Sequence, residues 1–394
     1  MTGLRKSWLL LALIFVAWGF GYVDKQAINI AAVSIREELS LSASQMGTVM
    51  SSFFLMYSVM TLAGSYLVSR FGSRKSLIGI VALWAIFSCF TGMANSFLIL
   101  ILIRFLLGLS QGGFAPITSV AITELFPPEM QGRAKTFQVS AGSMGVAFGM
   151  LFCAASTAYF GWRAMFFFFG IVGMIVTVLL YRFYHPLVCK DSGPISKQIG
   201  LRTMLKDRLV LKLAFIQFGL GVFIWGLNAW LPSYWLEVKG LDMVQMGALS
   251  MVPWIVSFVL MNFSSYLLET CLKGQERATI VLSLAIGGAL MYAMLQVDGI
   301  STGFFLLTVI TVLMSIASAV VYMIPMKYMD VQRVGTATGI IIFGQQLAGV
   351  IAPVIMGYLI TLFSGSYDAV FGFVILVVFF GAGTALSLKI RKDG

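Results

Sequence analysis

The 394-residue chain is 59% hydrophobic and only 10% charged, against roughly 25% charged in an average soluble domain. That balance excludes a water-soluble fold. The net charge of +11 does not mark a nucleic-acid partner either, because the cations cluster in breaks between apolar stretches.

A bilayer crossing needs about 20 mostly apolar residues, and such stretches follow one another over 8–33, 45–68, 76–95, 97–125, 137–160, 163–183, 209–236, 244–268, 278–296, 301–326, 335–362 and 369–389. The expected fold is an all-α polytopic membrane protein of twelve transmembrane helices. Cations fall on alternate breaks, the positive-inside pattern. Arg5 and Lys6 open the series, followed by Arg70, Arg74 and Lys75, then Arg133 and Lys135. The long middle break holds Arg182, Lys190, Lys197, Arg202, Lys206, Arg208 and Lys212. Lys273 and Arg277, Lys327 and Arg333, and finally Lys389, Arg391 and Lys392 complete it. Both termini are thereby placed in the cytoplasm. The opposite face carries Arg36, Arg163 and Lys239, offset by Glu37, Glu38, Glu237, Asp242, Asp298 and Asp368.

The first stretch is longer than the core of a signal peptide and contains Asp24 and Lys25, so a retained helix is expected. Cys89 and Cys153 lie within spans, while Cys189 and Cys271 fall on the reducing side, so neither disulfides nor cysteine metal sites are expected.

The chain matches itself at an offset of 200 residues. Gln45-Met46-Gly47 and Gln245-Met246-Gly247 open the second and eighth spans, Ser65-Tyr66-Leu67 and Ser265-Tyr266-Leu267 close them, and Gly149 pairs with Gly349. Two six-helix halves are expected, at 1–183 and 209–394, joined by a polar cytoplasmic linker at 184–208. Parallel halves of this kind place a solute site between them near the bilayer midplane.

Charges inside hydrocarbon cost a few kcal/mol or more and persist where they face a cavity or a partner. Asp24 lies roughly 24 Å along its helix from Trp8 at 1.5 Å per residue, and Arg104, entering from the other side near Phe97, is about 10 Å deep. The two therefore lie at comparable depth. They are expected either to pair when solute is absent and separate on protonation of Asp24, or to form a permanent ion pair. Lys25 is read as a cation aimed at an anionic solute, or as a lysine snorkelling to the headgroups. Gln111, two turns beyond Arg104, lines a cavity or hydrogen-bonds another helix. Tyr57, Trp225, Asn228, Trp230, Gln345 and Gln346 are candidates for the remaining wall. Gly108 and Gly112, Gly145 and Gly149, and Gly335 and Gly339 are assigned to close helix packing. The lone His185 is read as structural. No phosphate-cradling loop or metal-spaced cluster occurs, so no cofactor, metal or enzymatic role is expected and a gradient must supply the energy.

These features resemble the major facilitator superfamily. The loop Ser69-Arg70-Phe71-Gly72-Ser73-Arg74-Lys75 is similar to its basic signature between the second and third helices, with Ser69 in place of the acidic residue and Glu269 keeping a carboxylate at the repeat-related position. In that family the loop latches the cytoplasmic gate, which implies gating roles for Arg70, Arg74, Arg133 and Glu269. Tyr22-Val23-Asp24-Lys25, the Arg104 to Gln111 span with Pro116, Leu231-Pro232-Ser233-Tyr234, and Phe343-Gly344-Gln345-Gln346-Leu347-Ala348-Gly349 followed by Pro353 resemble the anion:cation symporters. By that resemblance Asp24 is the protonatable aspartate, Arg104 is the fourth-helix arginine, and Tyr57 and Gln346 are pocket residues. The family has arginine where this chain has Lys25, which gives up a planar bidentate fork, and commonly glutamate where it has Gln111.

The resulting expectation is a secondary transporter of the bacterial inner membrane, functional as a monomer, taking up a small organic anion such as a sugar acid with one proton through Asp24. Proton-driven export of a metabolite, siderophore or drug is the alternative, and a carrier-like membrane sensor a more distant one.

Overall fold

The computed structural model describes residues 2–184, 201–270 and 274–389. His185, Cys189, Lys190, Lys197, Cys271, Lys273, Arg391 and Lys392 lie outside the described residues, as does most of the expected linker. The side chains of Arg5, Ser65, Glu269 and residues 265–267 are likewise outside the described ones. Among the described residues the chain is helical with no strand. In order it forms α1 (Thr2–Ile30), α2 (Ala32–Leu39), α3 (Ala43–Met93), α4 (Phe97–Gly112), α5 (Phe114–Leu125), α6 (Pro128–Phe183), α7 (Leu201–Met204) and α8 (Arg208–Gly221). A π-helical turn, Val222–Leu227, follows, then α9 (Asn228–Glu237), α10 (Met243–Thr270), α11 (Glu276–Leu295), α12 (Ile300–Tyr328), α13 (Val331–Leu362) and α14 (Asp368–Leu386). By length and composition, ten helices among the described residues can cross a membrane.

Caps mark where helices begin. Ser42 accepts from the Gln45 amide at 3.1 Å while the Gln45 side chain accepts from the Ser42 amide at 2.9 Å, a reciprocal capping box. Asp242 accepts from the Gln245 amide at 2.8 Å. The two similar Gln-Met-Gly segments thus each sit in the first turn of a helix, next to an oxygen-bearing cap.

Two helices are broken by glycine. Gly72 in α3 has φ 77° and ψ 161°, and Gly161 in α6 has φ 80° and ψ 159°, a region of backbone space essentially restricted to glycine. Gly72→Ala is expected to destabilise the protein by about 1–3 kcal/mol through backbone strain alone, since an added Cβ meets nothing within 4 Å. Gly79→Ala, equally open but regularly helical, is expected to gain up to about 1 kcal/mol. Thermal unfolding of the two purified variants side by side reads the difference.

The chain divides into two compact units, Met1–Gly193 with Leu241–Met251, and Pro194–Gly240 with Val252–Gly394. In the first unit, Leu10, Leu11, Ile14, Trp18, Phe53, Trp84, Leu107 and Phe126 belong to one buried cluster that draws on α1, α3, α4 and the α5–α6 corner. Lipid tails are as apolar as these side chains, so close approach and dispersion hold the helices together. Gly108 and Gly112 of α4 lie against the Phe53 and Tyr57 carbonyls of α3, where a Cβ would clash, and Gly145 and Gly149 of α6 lie against Gly19 and Val23 of α1. Gly339 departs from the packing expectation, because its Cβ would enter open space.

At one end of the first unit, Arg163 bonds Glu38 of α2 through Nε and Nη2, both at 2.9 Å, and Trp162 donates to the same carboxylate at 2.6 Å. Arg163 Nη1 also donates to the Gly92 and Ala94 carbonyls at 2.9 and 2.7 Å, closing the end of α3. The Arg163 and Trp162 bonds hold the Glu38 carboxyl below its usual range. A depressed carboxyl contributes stability above its unfolded pKa of about 4.3, and that contribution is lost as pH falls through the lower folded value. Glu38 is 47% exposed, so the gain is about 1 kcal/mol at most. The thermal advantage of wild type over Glu38→Gln is therefore expected at pH 7 and should vanish near pH 3.

Candidate functional site

Four charged side chains are buried among the described residues: Asp24, Lys25, Arg104 and Glu276. Glu276 opens α11 and is bonded by Lys327 and Tyr328 from the end of α12. The other three share the interior of the first unit.

Asp24 is fully buried. Its Oδ2 accepts from Trp84 Nε1 at 2.7 Å, Ser88 Oγ at 2.9 Å and Gln111 Nε2 at 3.0 Å, while Oδ1 has no partner. Trp84 and Ser88 lie one turn apart on the part of α3 beyond Gly72, so that segment and α4 grip one carboxylate oxygen together. Arg104 is 1% exposed, and its Nε and Nη1 find no hydrogen-bond acceptor. The Phe53 ring lies 5.0 Å from its guanidinium carbon. Its charge acts on Asp24 across the interior, but no ion pair joins them among the described residues. The expected pairing is corrected in this detail: three neutral donors already occupy Oδ2.

Lys25 does not snorkel. It is 7% exposed, and its Nζ lies 4.1 Å from the Tyr57 ring centroid, 4.4 Å from Tyr22, 5.7 Å from Trp18 and 5.9 Å from Phe53. Trp18, Tyr22 and Lys25 follow one another at helical spacing on one face of α1, and Phe53 and Tyr57 arrive because Gly108 and Gly112 let α3 and α4 touch backbones. Cation–π attraction of about 0.5–2 kcal/mol per favourable ring replaces the missing counter-ion.

Gln111 has both an interhelical partner and a cavity beside it. It bonds Asp24 through Nε2, and it borders a cavity of about 20 Å³ with Trp18, Tyr22, Lys25, Trp84 and Ser110, room for a water molecule. Its Oε1 is unpartnered. The cluster thus holds unused acceptors on Asp24 and Gln111 beside unused donors on Arg104.

In the second unit the candidates are neutral. Trp225 lies in the π-helical turn and Asn228 directly follows it. Pro232 accounts for the irregularity, since it offers no N–H to the Asn228 carbonyl four residues back and its ring crowds that carbonyl. π turns are frequent at functional sites. The Asn228 amide donates to the Phe223 and Ile224 carbonyls at 3.3 and 3.0 Å, which commits it to its own helix. Gln345 accepts from Tyr322 at 3.0 Å, and Gln346 Oε1 is unpartnered. Trp230 donates to the Pro353 carbonyl at 3.1 Å and is 1% exposed, a packing role.

Of the residues assigned to gating, Arg70 and Arg133 are exposed, and Arg74 donates to the Tyr181 carbonyl at 2.9 Å. The missing acid at Ser69 is supplied from elsewhere: Ser73 in the same loop donates to Glu124 of α5 and lies 2.9 Å from the Tyr184 hydroxyl. Glu124 was not among the sequence candidates, and neither were Trp84, Ser88, Trp18, Tyr22 and Phe53.

An all-helical fold with ten membrane-length apolar helices among the described residues, and with buried charges beside a small cavity, is that of a polytopic membrane protein. The Major Facilitator Superfamily profile matches residues 8–353, and the chain belongs to that superfamily. It is 29% identical to the probable sulfoacetate transporter SauU of Cupriavidus necator over 98% of this chain and 94% of that one. It is 25% identical to the hexuronate transporter of Bacillus subtilis over 90% and 89%, and 24% identical to the probable galactarate/D-glucarate transporter GarP of Escherichia coli over 91% and 89%. These relatives are transporters, not enzymes, in keeping with the resemblance to the anion:cation symporters. A bacterial homologue of the human lysosomal transporter Spinster shares the fold at a TM-score of 0.83 and 16% identity, with 97% of this chain and 96% of that one aligned.

Proposed function

We propose that this protein takes up a small organic anion, a carboxylate such as a sugar acid, together with one proton across the bacterial inner membrane by alternating access. The observation that carries the reading is the surplus of buried cation: Arg104 and Lys25 stand against the single carboxylate of Asp24, with hydrogen-bonding capacity left unused on Arg104. Buried charge must be balanced, and a solute anion balances it. The substrates named for the relatives, hexuronate, galactarate and sulfoacetate, support the same class.

Coupling follows from competition. With the site empty, ionised Asp24 offsets one of the two cations. When an anion binds, it takes over that role, and Asp24 is free to accept a proton on its unpartnered Oδ1 while Oδ2 keeps its three donors. For a monoanion, the loaded and protonated site carries the same charge as the empty ionised one. A protonated site without solute carries one positive charge more and is disfavoured, so proton and anion enter together.

The rest of the architecture is part of the proposal. Dividing α3 at Gly72 and α6 at Gly161 turns ten long apolar helices into twelve crossings, in halves of 1–183 and 209–394 joined by a 184–208 linker, with both termini cytoplasmic and a monomer as the working unit. Tyr57 and Gln111 serve as solute contacts of the first unit and Trp225, Gln345 and Gln346 as those of the second, and Arg70, Arg74, Arg133 and Glu269 serve the gate.

The test is uptake into proteoliposomes with an imposed pH gradient, offering D-galacturonate, D-glucarate and sulfoacetate. Accumulation of at least one acid above equilibrium, collapsed by a protonophore, is the expected result. Uptake that ignores the gradient overturns proton coupling, and outward pumping of a larger solute with no acid transported overturns the anion reading.

A further inference from the structure

We infer that Lys135, Gln138 and Ser119 form a second anion site in the first unit, a station for the solute's carboxylate between the deep site and the cytoplasm. Lys135 and Gln138 stand near the start of α6, and Ser119 is on α5, roughly 12 Å beyond Gln111 at 1.5 Å per residue. Lys135 Nζ donates to Gln138 Oε1 at 2.8 Å and to Ser119 Oγ at 3.0 Å. Both acceptors are neutral, and no carboxylate pairs with Lys135 among the described residues. An ammonium has three donors, so one remains.

Gln138 is the independent observation. It is fully buried, and accepting from Lys135 with its oxygen leaves its Nε2 without a partner. Ser119 spends its own proton on the Ala115 carbonyl at 2.8 Å. Every unmet group of the cluster is therefore a donor. A buried donor without a partner is costly, and a lysine needing only a helix contact has no use for an orphaned amide beside it. One carboxylate meets both, with one oxygen on Lys135 and the other on Gln138.

Arg70 of α3 and Arg133 of α6 are exposed, whereas Lys135 is half-buried, which suits a station on a path better than a surface charge. The phosphate of an anionic lipid offers the same chemistry, and the experiment separates the two sources. That the anion is the transported solute rests on the proposed function; that the cluster binds a carboxylate does not.

The first measurement is thermal unfolding of the full-length protein carrying Lys25→Gln and Arg104→Gln, which disable the deep site. D-galacturonate at about ten times its dissociation constant is expected still to raise the unfolding temperature by about 2–4 °C. Adding Lys135→Gln should remove the shift, and adding Lys135→Arg, which keeps the charge, should restore most of it. The second is transport in phosphatidylcholine vesicles: Lys135→Gln in the otherwise wild-type protein should raise KM from the cytoplasmic side about tenfold and leave KM from the outer side unchanged. No shift in the disabled background, or equal changes of KM on both sides, overturns the proposal, the latter assigning Lys135 to helix packing. An effect seen only when phosphatidylglycerol is added assigns the site to lipid and overturns it too. If wild type moves none of the acids but the Lys135-dependent shift persists, the second site stands and the transport reading falls.

Discussion

Arg104→Gln is expected to weaken solute binding at the deep site by about 30-fold or more and at the same time to raise the thermal stability of the solute-free protein. A residue that only held helices together would lower both. The opposite signs follow from the surroundings of the guanidinium, which is 1% exposed, has two nitrogens without an acceptor, and faces the Phe53 ring at 5.0 Å. Each unsatisfied buried donor costs about 1–3 kcal/mol, more when charged. Glutamine removes the charge and most of the donors while keeping a polar chain, so the empty protein should gain about 1–3 kcal/mol. Truncating one partner of a buried charge pair costs about 2–5 kcal/mol of binding, a loss of about 30-fold to several thousand-fold in affinity. Function and stability are opposed here because the site is preorganised for a charge that arrives with the solute. Arg104→Lys should rescue little, since an ammonium lacks the planar fork. Isothermal titration with D-galacturonate in a Lys135→Gln background and a thermal melt of the same preparations check both signs, and a destabilised variant that keeps the deep-site affinity would overturn the assignment.

Much of this site could be found in the sequence because charge inside hydrocarbon is conspicuous: Asp24, Lys25 and Arg104 interrupt stretches that are otherwise apolar. Their partners could not. Trp84 and Ser88 sit in an apolar segment where either residue type is an ordinary occupant, and only the packing of α3 on the first unit's core turns them toward Asp24. Trp18 and Tyr22 stood at readable helical spacing from Lys25, but the other half of the cage, Phe53 and Tyr57, depends on where Gly108 and Gly112 dock α4. The spans themselves were legible from hydropathy, and so were both breaks, the one at Gly72 from its basic loop and the one at Gly161 from the boundary between the apolar runs 137–160 and 163–183; that a single glycine makes each break was not. The π-helical turn around Trp225 carries no hydropathy signal at all. Its cause, Pro232, was visible, but its effect on the backbone appears only in three dimensions.

Asp24→Asn is the sharpest test of coupling, because asparagine preserves the shape while deleting the proton. Its carbonyl oxygen can stand where Oδ2 accepts from Trp84, Ser88 and Gln111, and its amide replaces the unpartnered Oδ1, so folding should be intact. What disappears is the carboxylate that competes with solute for Arg104 and Lys25. Anion affinity is therefore expected to rise, by about tenfold for each 1.4 kcal/mol of competition removed, and to lose its pH dependence. Exchange of labelled for unlabelled acid across the membrane should persist, since a loaded carrier need not return empty, while accumulation driven by a pH gradient should fall to the equilibrium level. Gln111 cannot titrate in place of Asp24, because an amide has no proton to release in this range. The variant therefore separates the two halves of the mechanism: solute recognition belongs to the cations and their aromatic cage, and the proton belongs to Asp24. An Asp24→Asn protein that still concentrates acid against its gradient would place the coupling proton elsewhere.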